Sequence, residues 1–376
     1  MKHLIVRFFS SGLWIFVLFG ALTAGLIVKD IVLPLERGDF GRTIGDGVHT
    51  ASYEFNLHPC LVPLRLIHGS GNVKNGLPAL IHPKLLSIQR AARINDARRD
   101  AGGFIQDPDR VIGVVINGVA RAYPLPMLNW HEVVDDRLGG KPILVSYDGF
   151  CDSAAVYSRV VKGKIFTFGY SGLVYNANLL LYNHAVPRAH QSLWSQITGK
   201  AIAGPAAAAG FRLTPLPCQV VSWGVWKSMY PHTKMIAGNR RLWAAYRKAP
   251  YASSYGQPGD LRFPIQPLWK AGKDTPDLNL KSRLLAIWLK GRWHPILFHT
   301  LFAKKSPDQL VHLEIAGQQV VLQCWTGIQW RTATVLSPQK APVDYSLLFA
   351  WYAQHPASIN QAMGAMATPK SPAKAP

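Results

Sequence analysis

Asn117-Gly118 stands between two β-branched and apolar runs, Val111–Ile116 and Val119–Tyr123. A two-residue turn of this kind takes positive φ at both positions, so it commits its flanks to an antiparallel hairpin. Lys162-Gly163 does the same for Val156–Val161 and Lys164–Phe168, and Lys290-Gly291 for Leu284–Leu289 and Arg292–His294. Ile143–Tyr147 and Leu179–Tyr182 are further expected strands. The expected fold is therefore α+β: β-rich, with antiparallel hairpins and short helices, and with one N-terminal transmembrane helix in addition.

Three helices are expected in the body. One covers Pro83–Ala97, and Ser222–Met229 is a second, stopped by Pro231. Met127, Trp130, His131, Val134 and Leu138 share one stripe at helical spacing, which places a third before Gly139-Gly140.

The segments recur in order. Ile315-Ala-Gly317-Gln-Gln-Val-Val-Leu322 echoes Leu138-Gly-Gly140-Lys-Pro-Ile-Leu-Val145, and Trp351-Tyr-Ala-Gln-His-Pro356 echoes Trp226-Lys-Ser-Met-Tyr-Pro231. With the repeated hairpins, this patterning suggests two related halves, too few for a solenoid. The chain then divides into an anchor or signal segment (1–30), a stalk (31–60), a first half (61–237), a connector (238–282), a second half (283–362) and a low-complexity tail (363–376).

Phe8–Val28 is 21 residues without a charge. As a helix it spans about 31 Å, the hydrocarbon thickness of a bilayer. Lys2 and Arg7 precede it, so the positive-inside rule places the N-terminus in the cytoplasm and the bulk outside. A cleaved signal peptide is the rival reading, with Leu22-Thr-Ala24 as its processing site. All four cysteines, Cys60, Cys151, Cys218 and Cys324, follow this run, where an oxidising compartment would permit pairing.

The formal charge of +21 speaks to partners rather than fold. Anionic lipid and envelope polymer fit it, as does an envelope protein partner. The basic residues are scattered and no recognition helix, finger or aromatic platform is present, which argues against nucleic acid.

Several ordered runs carry a resemblance: Val111–Leu125, Trp130-His-Glu132, Phe168–Asn176, Ser192–Gln196, Thr198–Gly204, then Trp223, Trp226, Pro231 and Phe349-Ala-Trp351 with His355-Pro356. Over about residues 85–356 the chain resembles the bacterial domain-of-unknown-function family 3179. The resemblance implies an exported, often membrane-anchored domain without an established activity. It also implies a Tyr-Cys-Pro-x-Cys-Gly run where this chain has Tyr147-Asp-Gly-Phe-Cys-Asp152, so Asp148 replaces the first cysteine.

Candidate sites follow from residue type. His131, Asp148, Cys151 and Asp152 form a His/Cys/carboxylate set suited to zinc or copper. His131-Glu132-Val-Val-Asp135 is one residue short of a zinc-protease motif, with His131 and Asp135 on one helical face and Glu132 as base. Cys151 with His131, His184 or His190 would make a nucleophilic pair. Ser171, Tyr175, Asn176, Trp194, Ser195 and Gln196 are candidates for a polar or sugar-binding pocket. The expected function is a membrane-anchored envelope binding or assembly protein. Metal-centred and cysteine-dependent chemistry are the alternatives.

Overall fold

The turns at Asn117-Gly118 and Lys290-Gly291 form the hairpins expected of them, whereas Lys162-Gly163 joins only Val160–Val161 to Lys164–Ile165, because Ser153–Ser158 and Phe168–Tyr175 pair within other sheets. In the computed structural model, which describes residues 43–98, 103–251, 261–267, 279–327 and 330–358, Arg110–Ile116 (β1) and Val119–Pro124 (β2) pair with Ile116 opposite Val119. Asn117 and Gly118 have φ of 50° and 78°, as the turn requires. A short helix Leu125–Leu128 (α1) follows, then the hairpin Val133–Leu138 (β3) and Lys141–Asp148 (β4), then Ser153–Ser158 (β5). After residues 159–218 come Gln219–Ser222 (β6) and Trp223–Met229 (α2), the latter capped by the Ser222 hydroxyl accepting from the Val225 N–H.

The same succession returns. Arg283–Leu289 (β7) and Arg292–Leu297 (β8) form a hairpin, Phe298–Lys304 (α3) follows, and Leu310–Ile315 (β9), Gln318–Thr326 (β10) and Arg331–Ser337 (β11) form a meander. Val343–Leu347 (β12) and Leu348–Gln354 (α4) close it. Pairing repeats as well as order. β6 lies antiparallel beside β1, and β12 beside β7.

The two segments interlock. β12 pairs with β5, giving the sheet order β8-β7-β12-β5-β4-β3 with Leu80–Ile81 at its edge. On the other side β6 runs alongside β11, where the Thr332 hydroxyl donates to the Val220 carbonyl. One apolar cluster spans both segments, from Ile112, Val145 and Trp226 to Ile287, Leu322 and Tyr345. Gly113 lies in it because a Cβ there would fall 2.2 Å from the Trp226 ring.

Residues 159–218 supply four strands of a separate five-stranded sheet. Phe168–Tyr175, Asn178–Asn183, Leu193–Ser195 and Ala201–Ala203 continue from Ile67–Gly69 at one edge. Residues 43–60, expected as a stalk, are irregular yet packed on this sheet. Tyr53 is fully buried and its hydroxyl donates to the Asn72 carbonyl.

Two helices depart from expectation. Residues 85–87 pair as a strand with Lys234–Ile236, so the helix expected from Pro83 starts only at Ile88, capped by Ser87. The helix expected through Leu138 stops at Leu128, and Val133–Leu138 is strand β3 instead. The cause is burial of both faces of β3. Val134 and Leu138 face the large core while Val133 faces the cluster under the second sheet. A strand covered on both sides loses its polar alternation and imitates a helical stripe.

The run Phe8–Val28 and the tail 363–376 lie outside the described residues. Among the described residues no helix is long and apolar enough to cross a membrane.

Candidate functional site

The loop 149–152 joins β4 to β5, and Asp148 organises it. Asp148 Oδ1 accepts from the N–H groups of Phe150 (2.9 Å) and Cys151 (3.2 Å), which folds the loop back on its own strand. Its Oδ2 accepts from Leu179 N (2.9 Å) and Asn178 Nδ2 (3.1 Å), tying the loop to the second sheet. Burial pushes the Asp148 carboxyl up, although these donors oppose the shift.

Glu132 lies near Asp148. It is buried with φ of 59°, and its Oε1 accepts from the Tyr251 hydroxyl at 3.1 Å. Burial first, and then the Asp148 charge, hold its carboxyl well above the usual range. The Tyr251 ring closes over Gly149, where a Cβ would fall 2.3 Å from it. A carboxyl whose folded pKa is raised contributes stability that is complete below its unfolded value and is lost as pH rises through the folded one. Glu132→Gln is therefore expected to melt higher than the wild type, by a margin that widens from pH 5 to pH 8. Scanning calorimetry across that range checks it.

Cys151 is fully buried and its thiol donates to the Ala177 carbonyl at 2.7 Å. Burial, and then Asp148, push that thiol well up, so it stays protonated at neutral pH. Cys60, Cys151, Cys218 and Cys324 are all free thiols. Cys151 and Cys218 are expected to resist a thiol reagent at pH 7.5 until urea unfolds the chain. Labelling of either in the native protein, read by mass spectrometry, would contradict this packing.

His131 points away from the loop. Its Nδ1 lies 2.7 Å from the Pro78 carbonyl and its Nε2 2.6 Å from the Tyr246 hydroxyl. The carbonyl has no proton to give, so Nδ1 donates and Nε2 accepts. Both ring nitrogens are engaged, and burial pushes the imidazole pKa down. Asp135, expected on the same helical face, is on β3. It accepts from Phe168 N at 2.6 Å and faces Arg159 Nε at 3.4 Å. Among the described residues no three His, Cys, Asp or Glu side chains are grouped to hold a metal ion.

Asp152 faces the seam between the repeated segments. Arg110 grips it with two bonds, Nη1–Oδ2 at 3.0 Å and Nη2–Oδ1 at 2.8 Å, while Arg283 Nε reaches Oδ2 at 2.5 Å. The Tyr147 hydroxyl donates to Oδ1 at 2.8 Å. Burial alone would raise this carboxyl, but the two guanidinium groups outweigh it and hold it well below the carboxylate range. Arg110 opens β1 and Arg283 opens β7, so the two arginines occupy the same place in the repeated hairpin.

The other expected pocket residues are bonded or packed within the body. Trp194 is buried, with Nε1 donating to Asn183 Oδ1 at 2.9 Å. Gln196 Oε1 accepts from Ser153 and Asn178. Ser195 is buried in the sheet, and the Ser171 hydroxyl donates to the Leu180 carbonyl at a break in strand register. Asn176 Nδ2 clamps the Gln266 and Ala353 carbonyls, and half-buried Tyr175 sits opposite Ile67.

The corresponding loop of the second segment, between β10 and β11, borders a cleft of about 550 Å³. Lys281, Ser282, Arg283, Phe298, His299, Thr326, Gly327, Trp330 and Arg331 line it, with Arg283 held by Asp152. Lys281 stands over the rings of Phe150 and Phe349, at 5.1 and 5.4 Å, so aromatic packing holds its ammonium in place. Arg331 packs over Phe302. Gly149 and Gly327 start the two loops, and Asp152 and Trp330 end them. The first loop is buried and carries Asp152, whereas Gly327 and Trp330 of the second border the cleft. None of Lys281, Arg283, His299 or Arg331 stands out in the sequence as a site residue. The one available signal was the matching of Arg110 with Arg283 across the repeated hairpins.

Residues 74–357 match the family described as Protein of unknown function (DUF3179). No curated protein and no solved structure matches the chain.

Proposed function

The chain belongs to the DUF3179 family, which carries no assigned activity, and we propose that it is an envelope binding protein whose basic cleft takes an anionic ligand. The single observation behind this reading is the cleft itself: Lys281, His299 and Arg331 from three segments stand beside the Asp152-bound Arg283, between aromatic walls. The net charge of +21 favours the same class of partner, an anionic lipid surface or wall polymer. The uncharged run Phe8–Val28 behind Lys2 and Arg7 supports a membrane anchor with the cleft on the outer side. The repeated order and pairing of strands support a body built from two copies of one unit. Cysteine chemistry has less support, because Cys151 is buried and protonated. Zinc or copper at His131, Asp148, Cys151 and Asp152 has less support too, because His131 and Asp152 are engaged elsewhere.

The test is binding of the full chain to anionic and zwitterionic vesicles and to a soluble polyphosphate, as a function of salt. Reversing Arg331 changes the cleft by two charges, and at about 1 kcal/mol per charge the expected loss is roughly 30-fold for Arg331→Glu. Binding that is insensitive to both salt and this substitution would sink the reading.

A further inference from the structure

We propose that a different cleft, beside Gln219, Trp226 and Tyr230, binds a neutral saccharide. It shares no lining residue with the basic cleft and does not depend on the anion reading. Gly113 of β1 and Gln219 of β6 are register partners, so their side-chain positions share one face of the sheet. With no side chain at Gly113, Trp226 brings α2 down onto that face. The helix ends at Met229, before Pro231. Residues 113–118, 217–230 and 335–343 then border a cleft of about 470 Å³, within the range of small-molecule sites.

The repeated architecture marks this place. Ser222 and Leu347 precede α2 and α4, which aligns Gln219 with Asp344, Trp226 with Trp351 and Tyr230 with His355. Gln219 lies opposite Gly113, and Asp344 lies opposite Ala286 in the same way. Gln219 Oε1, Asp344 Oδ2 and His355 Nδ1 are all buried without a hydrogen-bond partner among the described residues. The Tyr230 hydroxyl has none there either. Apolar side chains would pack here at lower cost, so the polar groups are not explained by stability. In the first segment they border the cleft.

Their chemistry selects a ring that carries hydroxyls and no charge. An amide offers a donor and an acceptor, and a half-turn about its last, soft torsion exchanges the end that faces the cleft. A phenol offers both at one oxygen. The common complement is a ligand hydroxyl, which donates one hydrogen bond and accepts another. The half-buried Tyr230 ring is backed by Trp226, with centroids 4.3 Å apart, and offers a platform to the C–H face of a pyranose. Met229 and Leu336, 36% and 38% exposed, extend that apolar edge. Lys340 is the one charged side chain among the described residues of the lining, too little to select a phosphate or carboxylate.

Calorimetric titration of the full chain with maltose, cellobiose and chitobiose tests this, with cyclohexanol as an apolar ring for comparison. At least one disaccharide is expected to bind more tightly than cyclohexanol, equally well at low and high salt. Gln219→Leu keeps the volume and Tyr230→Phe keeps the ring, and each is expected to weaken that binding about tenfold. Arg331→Glu should leave it unchanged. Absence of binding by all three disaccharides overturns the proposal, as does cyclohexanol binding as tightly as they do. A loss of disaccharide binding in Arg331→Glu also overturns it, because the sugar would then sit in the basic cleft. None of these results touches the anion reading, which polyphosphate binding decides. If Gln219→Leu fails to fold, Tyr230→Phe decides: a tenfold loss upholds the proposal and an unchanged affinity overturns it.

Discussion

Asp152→Ala is expected to destabilise the protein by about 3–5 kcal/mol, because it leaves two guanidinium groups facing each other across a buried gap. The Asp152 side chain is 2% exposed, and the flanking Arg110 and Arg283 side chains are 17% and 28% exposed. Arginine stays charged at any working pH, so neither partner can relieve the repulsion by losing a proton. The effect carries a pH signature. The folded-state pKa of Asp152 is depressed, so its stabilisation is complete above the unfolded carboxylate range and is lost as pH falls through the folded value. Wild type and Asp152→Ala should therefore differ most above about pH 4 and converge in stronger acid. Urea titrations at pH 7 and pH 3 measure this. A difference below about 1 kcal/mol at pH 7 would mean that solvent already screens the arginines.

Trp351→Ala is expected to cost about 3–5 kcal/mol, and Trp226→Ala the same. Trp351 is 0% exposed and Trp226 1%. Each opens the same local motif. Trp351 Nε1 donates to Ser358 Oγ at 3.1 Å, and Trp226 Nε1 to Thr233 Oγ1 at 3.0 Å, seven residues on in both cases. Trp351 stacks on His355 with ring centroids 4.2 Å apart, and Trp226 packs on Tyr230 at 4.3 Å. Removing either ring opens a cavity and takes the donor from a hydroxyl, buried at Thr233 and half-buried at Ser358, two losses acting in the same direction. Trp→Phe at each site restores most of the volume but not the bond, so it should recover more than half of the loss. Chemical denaturation of the four variants tests the equivalence. A large cost at one position with almost none at the other would count against two copies of one unit.

Elements encoded by short stretches were legible. The hairpins at Asn117-Gly118 and Lys290-Gly291 and the helix behind Ser222 depend on positive φ, β-branched flanks and a capping hydroxyl, all within a few residues. The echo between Trp226–Pro231 and Trp351–Pro356 was legible for the same reason. β3 was not, because its hydrophobic pattern reflects what covers it rather than its own conformation. The candidate site was mostly illegible. Cys151 drew attention as a lone thiol, yet Ala177 and the Asp148 carboxylate fix its state from other parts of the chain. His131 looked like a ligand, and its two ring nitrogens are taken up by Pro78 and Tyr246, from distant parts of the chain.

The order of strands, the tight turns and the helix caps were determined by the chain's own local chemistry, since each needs only neighbours in sequence. Tertiary structure alone decided that the two segments exchange strand partners, that Asp152 lies between arginines 42 and 131 positions away, and that the first loop lies under Tyr251 while Gly327 and Trp330 of its counterpart border a cleft. Those outcomes depend on which distant side chains arrive to fill, neutralise or leave empty a given space. That is a matter of packing across the whole body, for which no stretch of sequence carries a local signal.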